Sequence, residues 1–323
     1  MSRFKLTLAC RDYDHTRGLL DGTVTADGAE LKVLHITPPS QIFLRMLRGE
    51  EFDASEMSLS NYLIALGHGD KRFVALPVFP SRVFRHSYIW VHSNSGIREP
   101  RDLIGKRVGI SDYSMTALLF ARGMLKHQYG VLPQDIHWLR TRSEHVSIAM
   151  PANIRIDHLG KDRKLDQALE AGHIDAMIST YLPRGARRGS PSIRRLFANA
   201  RDTEAEYFRQ TKIFPIMHLM VMRRAVYDQE RRLAASLTDA FHQAKELAFA
   251  RFDEGLYPLP WVNVDFEYAR QVIGSNVYPY GVKANLPTLE AATLFSYEQG
   301  LTGRKIDISE IFAPETLEML EEG

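Results

Sequence analysis

Residues 46–58 read MLRGEEFDASEMS, and residues 169–181 read LEAGHIDAMISTY. Each stretch contains a helix end, a glycine, an acidic turn and a short strand that ends in polar residues. Glycine readily adopts the left-handed backbone that closes many helices, so Gly49 and Gly172 are expected to cap the two helices. The same unit, found twice in one chain, predicts two similar α/β lobes with a ligand cleft between them.

The bulk composition is that of an ordinary globular protein. The chain has 323 residues, 45% hydrophobic and 25% charged, with a formal net charge of +2. This length suits two domains, and so small a charge gives no reason to expect a nucleic-acid or membrane partner. Arginine clusters lack interleaved aromatic residues and are interpreted as a solvated face: Arg184, Arg187, Arg188, Arg194 and Arg195.

Cys10 is the single cysteine of the chain. A single cysteine can form neither a disulfide within the chain nor a cysteine-based zinc site. Residues 4–10 alternate as a strand and place Cys10 in the core. The first residues have no apolar signal core, and no segment is long enough to cross a bilayer. We therefore expect a cytoplasmic protein.

The pattern of apolar residues divides the chain into strands and helices. Further strands are expected at residues 30–35, 73–79, 87–91, 108–110, 137–141, 154–159 and 214–222, and helices at 38–48, 59–66, 117–127 and 229–252. Residues 80–86 and 214–222 are expected to cross between the lobes. Lobe one then comprises residues 1–84 and 215–323, and lobe two comprises residues 85–214.

This order of lobes and crossings, with DLIGKRVG at residues 102–109, resembles the type II periplasmic-binding-protein fold. More narrowly, the chain is similar to the 4,5-dihydroxyphthalate decarboxylase family over nearly its full length. The matching runs are residues 6–13 (LTLACRDY), 52–62 (FDASEMSLSNY), 77–86 (PVFPSRVFRH), 96–109 (GIREPRDLIGKRVG) and 278–285 (YPYGVKAN). The resemblance implies removal of one carboxylate from a catechol dicarboxylate, giving 3,4-dihydroxybenzoate, with no organic cofactor.

Such a decarboxylation needs an acid at the ring carbon, a base or acceptor at the hydroxyl, and a clamp on the remaining carboxylate. We expect Arg82 as the clamp, His86 as the proton donor and Arg85 as a second anion contact, because an arginine fork fits a planar carboxylate. Strand alternation would put Arg82 and His86 on one face and Arg85 on the other. Alternatively, an arginine pairs with a structural acid and His86 is a core residue.

Other candidates stand where strands end, the edge at which open α/β sheets bind ligands. Glu56 is a candidate base and Ser58 a candidate carboxylate contact, although Glu56 is also suited to cap the following helix. Arg11, Asp12 and Tyr13 follow the first strand and are expected to contact the ring substituents.

In lobe two, a strand, a polar turn and a helix N-terminus follow one another, an arrangement that favours an anion. Ser111, Ser114, Met115 and Thr116 are expected to close over this anion, with Tyr181 at the end of the second repeat. The alternative is that Ser114 or Thr116 simply caps the helix.

Two features of the C-terminal part leave alternatives open. His218 is either a second acid or base or a buried histidine bonded to the backbone. Trp261 and the turn at residues 278–281 either wall an aromatic pocket or pack the C-terminal segment against lobe one.

The twelve histidines contain no H-x-x-x-H pair. No metal site is therefore predicted, while a mixed His, Asp and Glu site across the cleft stays open. The expected partner is a small aromatic carboxylate substrate, and a homo-oligomer is left open. The alternative function is a non-catalytic cytosolic binding protein or sensor for a small aromatic acid.

Overall fold

The computed structural model describes residues 3–160, 163–255 and 257–320. These residues form two compact units. The first comprises the chain up to Arg82, Ile216–Glu290 and the residues from Ile306 onward, and the second comprises Val83–Pro215 and Ala291–Lys305. The division drawn from the sequence assigns residues 291–305 to lobe one, whereas the structure groups them with the second unit.

The described residues form eleven strands and eleven helices. The strands are β1 (Phe4–Cys10), β2 (Ala29–His35), β3 (Ala54–Ser58), β4 (Phe73–Arg82), β5 (Ile89–His92), β6 (Arg107–Ile110), β7 (His137–Arg140), β8 (Ile156–His158), β9 (Ala176–Ile178), β10 (Ile193–Arg195) and β11 (Ile216–Arg223). The helices are α1 (Arg17–Leu20), α2 (Pro39–Gly49), α3 (Leu59–Gly67), α4 (Thr116–Tyr129), α5 (Leu165–Glu170), α6 (Arg184–Arg187), α7 (Ala200–Thr211), α8 (Arg224–Gln229), α9 (Arg232–Asp253), α10 (Val262–Ile273) and α11 (Leu286–Glu298). Within the described part of the chain, no helix has both the length and the apolarity to span a membrane.

The sheet of the first unit has the strand order β2-β1-β3-β11-β4. Strand β1 is parallel to β2 and β3, and β11 runs antiparallel between β3 and β4. Every residue of β3 is buried, and Cys10 at the end of β1 is buried as predicted. The carboxyl ends of β1 and β3 therefore meet at one edge of this sheet.

The sheet of the second unit has the order β10-β5-β9-β6-β7-β8. Strands β9, β6, β7 and β8 are parallel, and β5 is antiparallel to β9 and β10. Several contacts join residues 291–305 to this unit. Among them, Phe295 packs on Gly123, and Gln299 accepts a 2.7 Å hydrogen bond from buried Arg122. Chain order alone does not reveal these contacts.

The repeated unit of the sequence is a repeat in three dimensions. Asp53 accepts a 2.8 Å hydrogen bond from the Thr7 amide and forms an ion pair with Arg223. Asp175 accepts a 2.9 Å bond from the Arg107 amide and pairs with the guanidinium of the same residue at 2.8 Å. Each aspartate thus ties the strand that follows it, β3 or β9, to the parallel neighbour, β1 or β6.

The two copies close their helices differently. Gly172 has a φ of +71°, in agreement with the predicted left-handed cap. Gly49 instead is the last residue of α2, and Glu50 takes the left-handed conformation with a φ of 48°. The prediction for Gly49 was therefore wrong by one residue, since the helix continues through the glycine before it turns.

The expected strand through residue 86 does not form. Strand β4 ends at Arg82, and residues 86–88 form a turn of 3₁₀ helix before β5. The alternation assumed for Arg82, Arg85 and His86 was therefore wrong, because strand geometry does not extend to the last two of these residues.

Candidate active site

A buried carboxylate, that of Glu56, lies at the edge where β1 and β3 end. The Glu56 side chain is completely buried. Its Oε1 accepts hydrogen bonds from His218 Nδ1 at 2.5 Å and from the Tyr13 hydroxyl at 2.7 Å. Its Oε2 accepts a 3.0 Å bond from the Arg11 amide. Three donors thus satisfy a charge that burial would otherwise make costly.

Strand register explains why Glu56 and His218 meet. On the antiparallel pair β3 and β11, His218 stands opposite Ser58 and Met220 opposite Glu56. Glu56 and His218 are therefore diagonal neighbours on one face, within reach of long side chains. The pairing of β11 with β4 also shifts register on both sides of His218, an irregularity of the kind that re-aims side chains near sites.

The hydrogen bonds keep Glu56 ionised. Burial alone raises the pKa of this carboxyl, but the hydrogen bond and charge of His218, followed by the bonds from Tyr13 and Arg11, bring it below its ordinary value. Burial, and then the charge of Glu56, raise the pKa of the Tyr13 hydroxyl. Glu56 is consequently an acceptor, and Tyr13 is a phenol that donates to it.

The second ring nitrogen of His218 is available for chemistry. The His218 side chain is 17% exposed, and its ring meets the Phe43 ring edge-on at 4.8 Å. No described protein group hydrogen-bonds to Nε2, while Nδ1 is held by Glu56. A carboxylate that fixes one imidazole nitrogen and leaves the other free is a typical arrangement for proton transfer.

Aromatic side chains surround Tyr13. The His15 ring stacks on Tyr13 with 5.2 Å between centroids and lies 5.0 Å from the Tyr278 ring. The main-chain oxygen of Pro80 accepts hydrogen bonds from His15 Nε2 at 3.0 Å and from the Tyr278 hydroxyl at 3.3 Å. Burial lowers the pKa of His15, so this ring is neutral near pH 7.

Of the cations near this site, the exposed one is Arg11. Its guanidinium lies 5.5 Å from the Tyr13 ring centroid, and no described carboxylate forms an ion pair with it. Arg82 is buried, donates a 2.8 Å bond to the Pro279 carbonyl and lies over the Tyr278 ring. Burial lowers its pKa to about 9. Arg82 thus supports the turn at residues 278–281, and Arg11 is the more accessible anion contact.

Two other predicted residues of the first unit have local roles. Asp12 is exposed and lies 3.4 Å from Arg17. Ser58 caps α3 by accepting a bond from the Asn61 amide at 3.4 Å. The alternative in which Glu56 caps this helix was therefore wrong, because Ser58 takes that position. Trp261, the candidate for an aromatic wall, is 71% exposed.

The structure places His86 and Arg85 in the buried interior of the second unit. His86 is 1% exposed among the rings of Phe197, Tyr207 and Tyr129. Burial lowers its pKa to about 4, so it is neutral near pH 7. Arg85 is 2% exposed and donates to the Ser179 carbonyl. The expectation of His86 as proton donor finds no support in this packing, which matches the alternative of a core residue.

The predicted anion site of the second unit is occupied by the protein itself. The main-chain amides of Tyr113 and Ser114 donate to the Glu144 carboxylate at 3.0 and 2.8 Å. Arg140 adds an ion pair at 3.1 Å. The turn before α4 does bind an anion, as the pattern indicated, but that anion is an internal side chain. Met115 is the residue before α4, and Thr116, the first residue of α4, is buried.

Ser111 and Tyr181 line one cavity of about 490 Å³ in the second unit, together with Thr141. The three residues follow β6, β9 and β7, so the cavity lies at the carboxyl ends of parallel strands, where such sheets bind ligands. The structure therefore brings together two of the residues predicted for lobe two. Ser114 and Thr116 are not among those that line it.

Sequence reasoning missed several residues of these sites. His15 gave no signal beyond its position four residues after Arg11, and Glu144 lies in a loop without periodicity. Arg184 and Arg187 line the cavity, although their cluster was interpreted as a solvated face. Within the described ranges, no three His, Cys, Asp or Glu side chains are close enough together to hold a metal ion.

The fold identifies the structural class of this protein. A family model described as the periplasmic substrate-binding protein of phosphonate ABC transporters matches residues 30–248. The periplasmic aliphatic sulphonate binding protein SsuA from Escherichia coli is similar in structure, with a TM-score of 0.58 and 16% identity over 98% of this chain and 99% of that chain. The protein thus has the two-lobed α/β fold of type II periplasmic binding proteins.

Two curated relatives narrow the class. The chain is 33% identical to a 4,5-dihydroxyphthalate decarboxylase of Comamonas testosteroni, over 98% of this chain and 99% of that protein. It is 31% identical to a 4,5-dihydroxyphthalate decarboxylase of Pseudomonas putida, over 65% of this chain and 83% of that protein. The chain belongs to the 4,5-dihydroxyphthalate decarboxylase family.

Proposed function

We propose that this protein decarboxylates 4,5-dihydroxyphthalate to 3,4-dihydroxybenzoate and CO₂, with His218 as the proton donor. Membership of the decarboxylase family supports the reaction. The observation that carries the assignment of residues is the buried Glu56 bound to Nδ1 of a histidine whose Nε2 remains available.

The substrate itself supplies most of the driving force. Each carboxylate of 4,5-dihydroxyphthalate has a hydroxyl para to it. Protonation of the ring carbon that bears the carboxylate, with loss of the hydroxyl proton, gives a dienone. The carbon–carbon bond to the carboxylate then breaks, its electron pair returns to the ring, and CO₂ leaves. The resulting phenolate takes back from solvent the proton that the hydroxyl had released to it. The net change is replacement of CO₂ by one proton.

In this proposal, His218 Nε2–H delivers the proton to the ring carbon. Glu56 does not contact the substrate, because it is completely buried behind His218 and Tyr13. It acts as a positioning residue that fixes the tautomer and the orientation of the imidazole. This assignment replaces the expectation of Glu56 as a base at the hydroxyl.

The remaining groups of the first unit suit an aromatic acid. The Arg11 guanidinium is exposed and has no carboxylate partner among the described residues, so it can bind the carboxylate that stays. Tyr13, His15 and Tyr278 offer ring surfaces for an aromatic ligand. The neutral His15 adds no charge that would compete with Arg11.

A second candidate function is a non-catalytic binding protein or sensor for a small aromatic acid. The match to a substrate-binding-protein model favours it. Thermal stabilisation by the dicarboxylate without chemical change would support this alternative.

We also propose a cytoplasmic location, as expected for a catabolic decarboxylase. Cell fractionation tests this location.

The direct test is incubation of the purified protein with 4,5-dihydroxyphthalate, followed by chromatography and mass spectrometry of the products. We expect 3,4-dihydroxybenzoate and CO₂ in equal amounts. A boiled sample and His218→Asn protein serve as controls. Binding without product over a range of pH would reject the decarboxylase in favour of the binding protein.

A further inference from the structure

The cavity of the second unit carries an unusual concentration of positive charge. Four cationic residues line it: Arg163, Lys164, Arg184 and Arg187. Asp166 is the single acid among the lining residues. Arg184 lies 4.0 Å from the Asp166 carboxylate. Within the described residues, no carboxylate forms an ion pair with any of the other three cations. Among the described residues, the cavity therefore has an excess of positive charge.

The arrangement of two of these arginines suits two neighbouring negative groups. Arg184 and Arg187 are the first and last residues of α6. Residues three apart on a helix are neighbours, with Cβ atoms about 5–6 Å apart. Each guanidinium can bind one carboxylate through two parallel hydrogen bonds. Two such forks side by side match a ligand with adjacent carboxylates.

The rest of the cavity wall suits an aromatic ligand with polar substituents. Tyr181 is 39% exposed, and burial of part of its ring raises the pKa of its hydroxyl, so the hydroxyl stays protonated and can donate. Ser111 and Thr141 add further hydroxyls, and Leu165 and Leu182 add apolar surface. A ring bearing acidic groups would find both kinds of contact here.

We propose that this cavity recognises the pair of adjacent carboxylates of an aromatic dianion and discriminates against the monoanionic product. This inference rests on the proposed function, which supplies the two ligands. Coulombic attraction to a fixed set of cations scales with ligand charge. Loss of one carboxylate as CO₂ weakens that attraction and leaves one arginine fork without a partner. The cavity is thus a second binding site, in the other unit from Arg11 and His218, and it holds the substrate more tightly than the product.

The test compares phthalate with benzoate, which differ by one carboxylate and lack the hydroxyls that the reaction requires. Their dissociation constants are measured by isothermal titration calorimetry on the full-length wild type and on Arg184→Gln and Arg187→Gln. Both arginines are exposed, so their replacement should not unfold the protein, as thermal melts would verify. Arg188→Gln is the matched control, because Arg188 lies outside the cavity lining and is paired with Glu170 at 3.1 Å.

In the wild type we expect phthalate to bind at least about tenfold more tightly than benzoate. The preference should fall about threefold to tenfold in each cavity variant. It should also fall as salt is added, because exposed charges are screened. Arg188→Gln should keep the wild-type ratio.

Three outcomes would overturn the inference. The first is an unchanged ratio in both cavity variants. The second is an equal loss of the preference for phthalate in Arg188→Gln, which would show that the net charge of the protein, and not the cavity, sets the preference. The third is tighter binding of inorganic phosphate than of phthalate, with the same arginine dependence, which would identify a phosphate site.

Turnover of 4,5-dihydroxyphthalate separates this inference from the proposed function. If the protein decarboxylates its substrate while the binding ratio is unaffected by the variants, the cavity proposal alone is wrong. If phthalate binding depends on Arg184 and Arg187 but no product forms, dianion recognition stands and the decarboxylase proposal fails.

Discussion

Glu56 and His218 are 162 residues apart in the chain, yet Oε1 of one lies 2.5 Å from Nδ1 of the other. The contact joins β3 to β11, which form an antiparallel pair in the first unit. Because Glu56 is completely buried and its other donors are Tyr13 and the Arg11 amide, its charge acts mainly on the imidazole. A histidine held in this way has a defined tautomer and a fixed ring orientation.

Replacement of His218 by Asn should remove the proton donor while retaining a polar side chain. We expect kcat to fall by about 10²–10⁴-fold, the usual contribution of general acid catalysis. Steady-state kinetics with 4,5-dihydroxyphthalate measure this effect. Wild-type kcat in His218→Asn would contradict the assignment of the donor.

Glu56→Gln keeps the size of the side chain and removes its charge. We expect kcat to fall more than about tenfold, with a smaller change in KM. Glu51→Gln, which affects an exposed pair with Arg45, is the control. Wild-type kcat in Glu56→Gln would contradict the positioning role, and a loss of kcat matched by partial unfolding in thermal melts would indicate a merely structural one.

His86 should make folding stability depend on pH without taking part in turnover. Its pKa falls from 6.5 to about 4 on folding, because burial disfavours the charged ring. The unfolded chain therefore binds the proton more readily, and stability is lost as pH falls from about 6.5 toward 4. The loss amounts to about 3 kcal/mol at the acid end of this window.

His86→Phe should flatten this pH dependence in urea-denaturation experiments and keep near wild-type kcat at pH 7. The ring would join those of Phe197 and Tyr207, so the packing should tolerate it. Loss of turnover in a stably folded His86→Phe protein would return His86 to the reaction and contradict the present assignment.

Glu144 should stabilise the second unit by filling the turn before α4. Glu144→Gln removes the negative charge that accepts hydrogen bonds from the amides of Tyr113 and Ser114 and that pairs with Arg140. We expect a loss of about 1–2 kcal/mol in the free energy of unfolding, measured by urea denaturation at pH 7. Glu206→Gln, at a more exposed site, is the control. Equal midpoints for Glu144→Gln and the wild type would show that this contact is dispensable.

Much of the fold follows from local patterns. The alternation in residues 4–10 predicted β1 with its observed ends, because one strand buried against a core leaves a clear signature. The repeat around Asp53 and Asp175 predicted two similar α/β units, and the structure adds that each aspartate ties two parallel strands together. That a ligand cleft lies between the lobes stays a prediction.

The site was harder to predict. The run at residues 82–86 contains arginine and histidine, the residue types that the chemistry requires, but it leaves the strand after Arg82 and buries His86 among aromatic rings. Burial depends on what packs around a segment, and a single stretch of sequence does not report that. Arg184 and Arg187 are exposed, as expected for a solvated face. Their place beside a cavity could not be predicted, because the strand ends that form the cavity come from other parts of the chain.

By itself, the sequence determined the class of fold, the family and the identity of most polar residues at the strand ends, since these depend on periodicity and short motifs. Only the tertiary structure decided which of those residues act together. It joined Glu56 to His218 through the register of β3 and β11, and it filled the turn before α4 with Glu144. Both outcomes depend on contacts between distant segments, whose geometry is set by the packed sheets and not by local sequence.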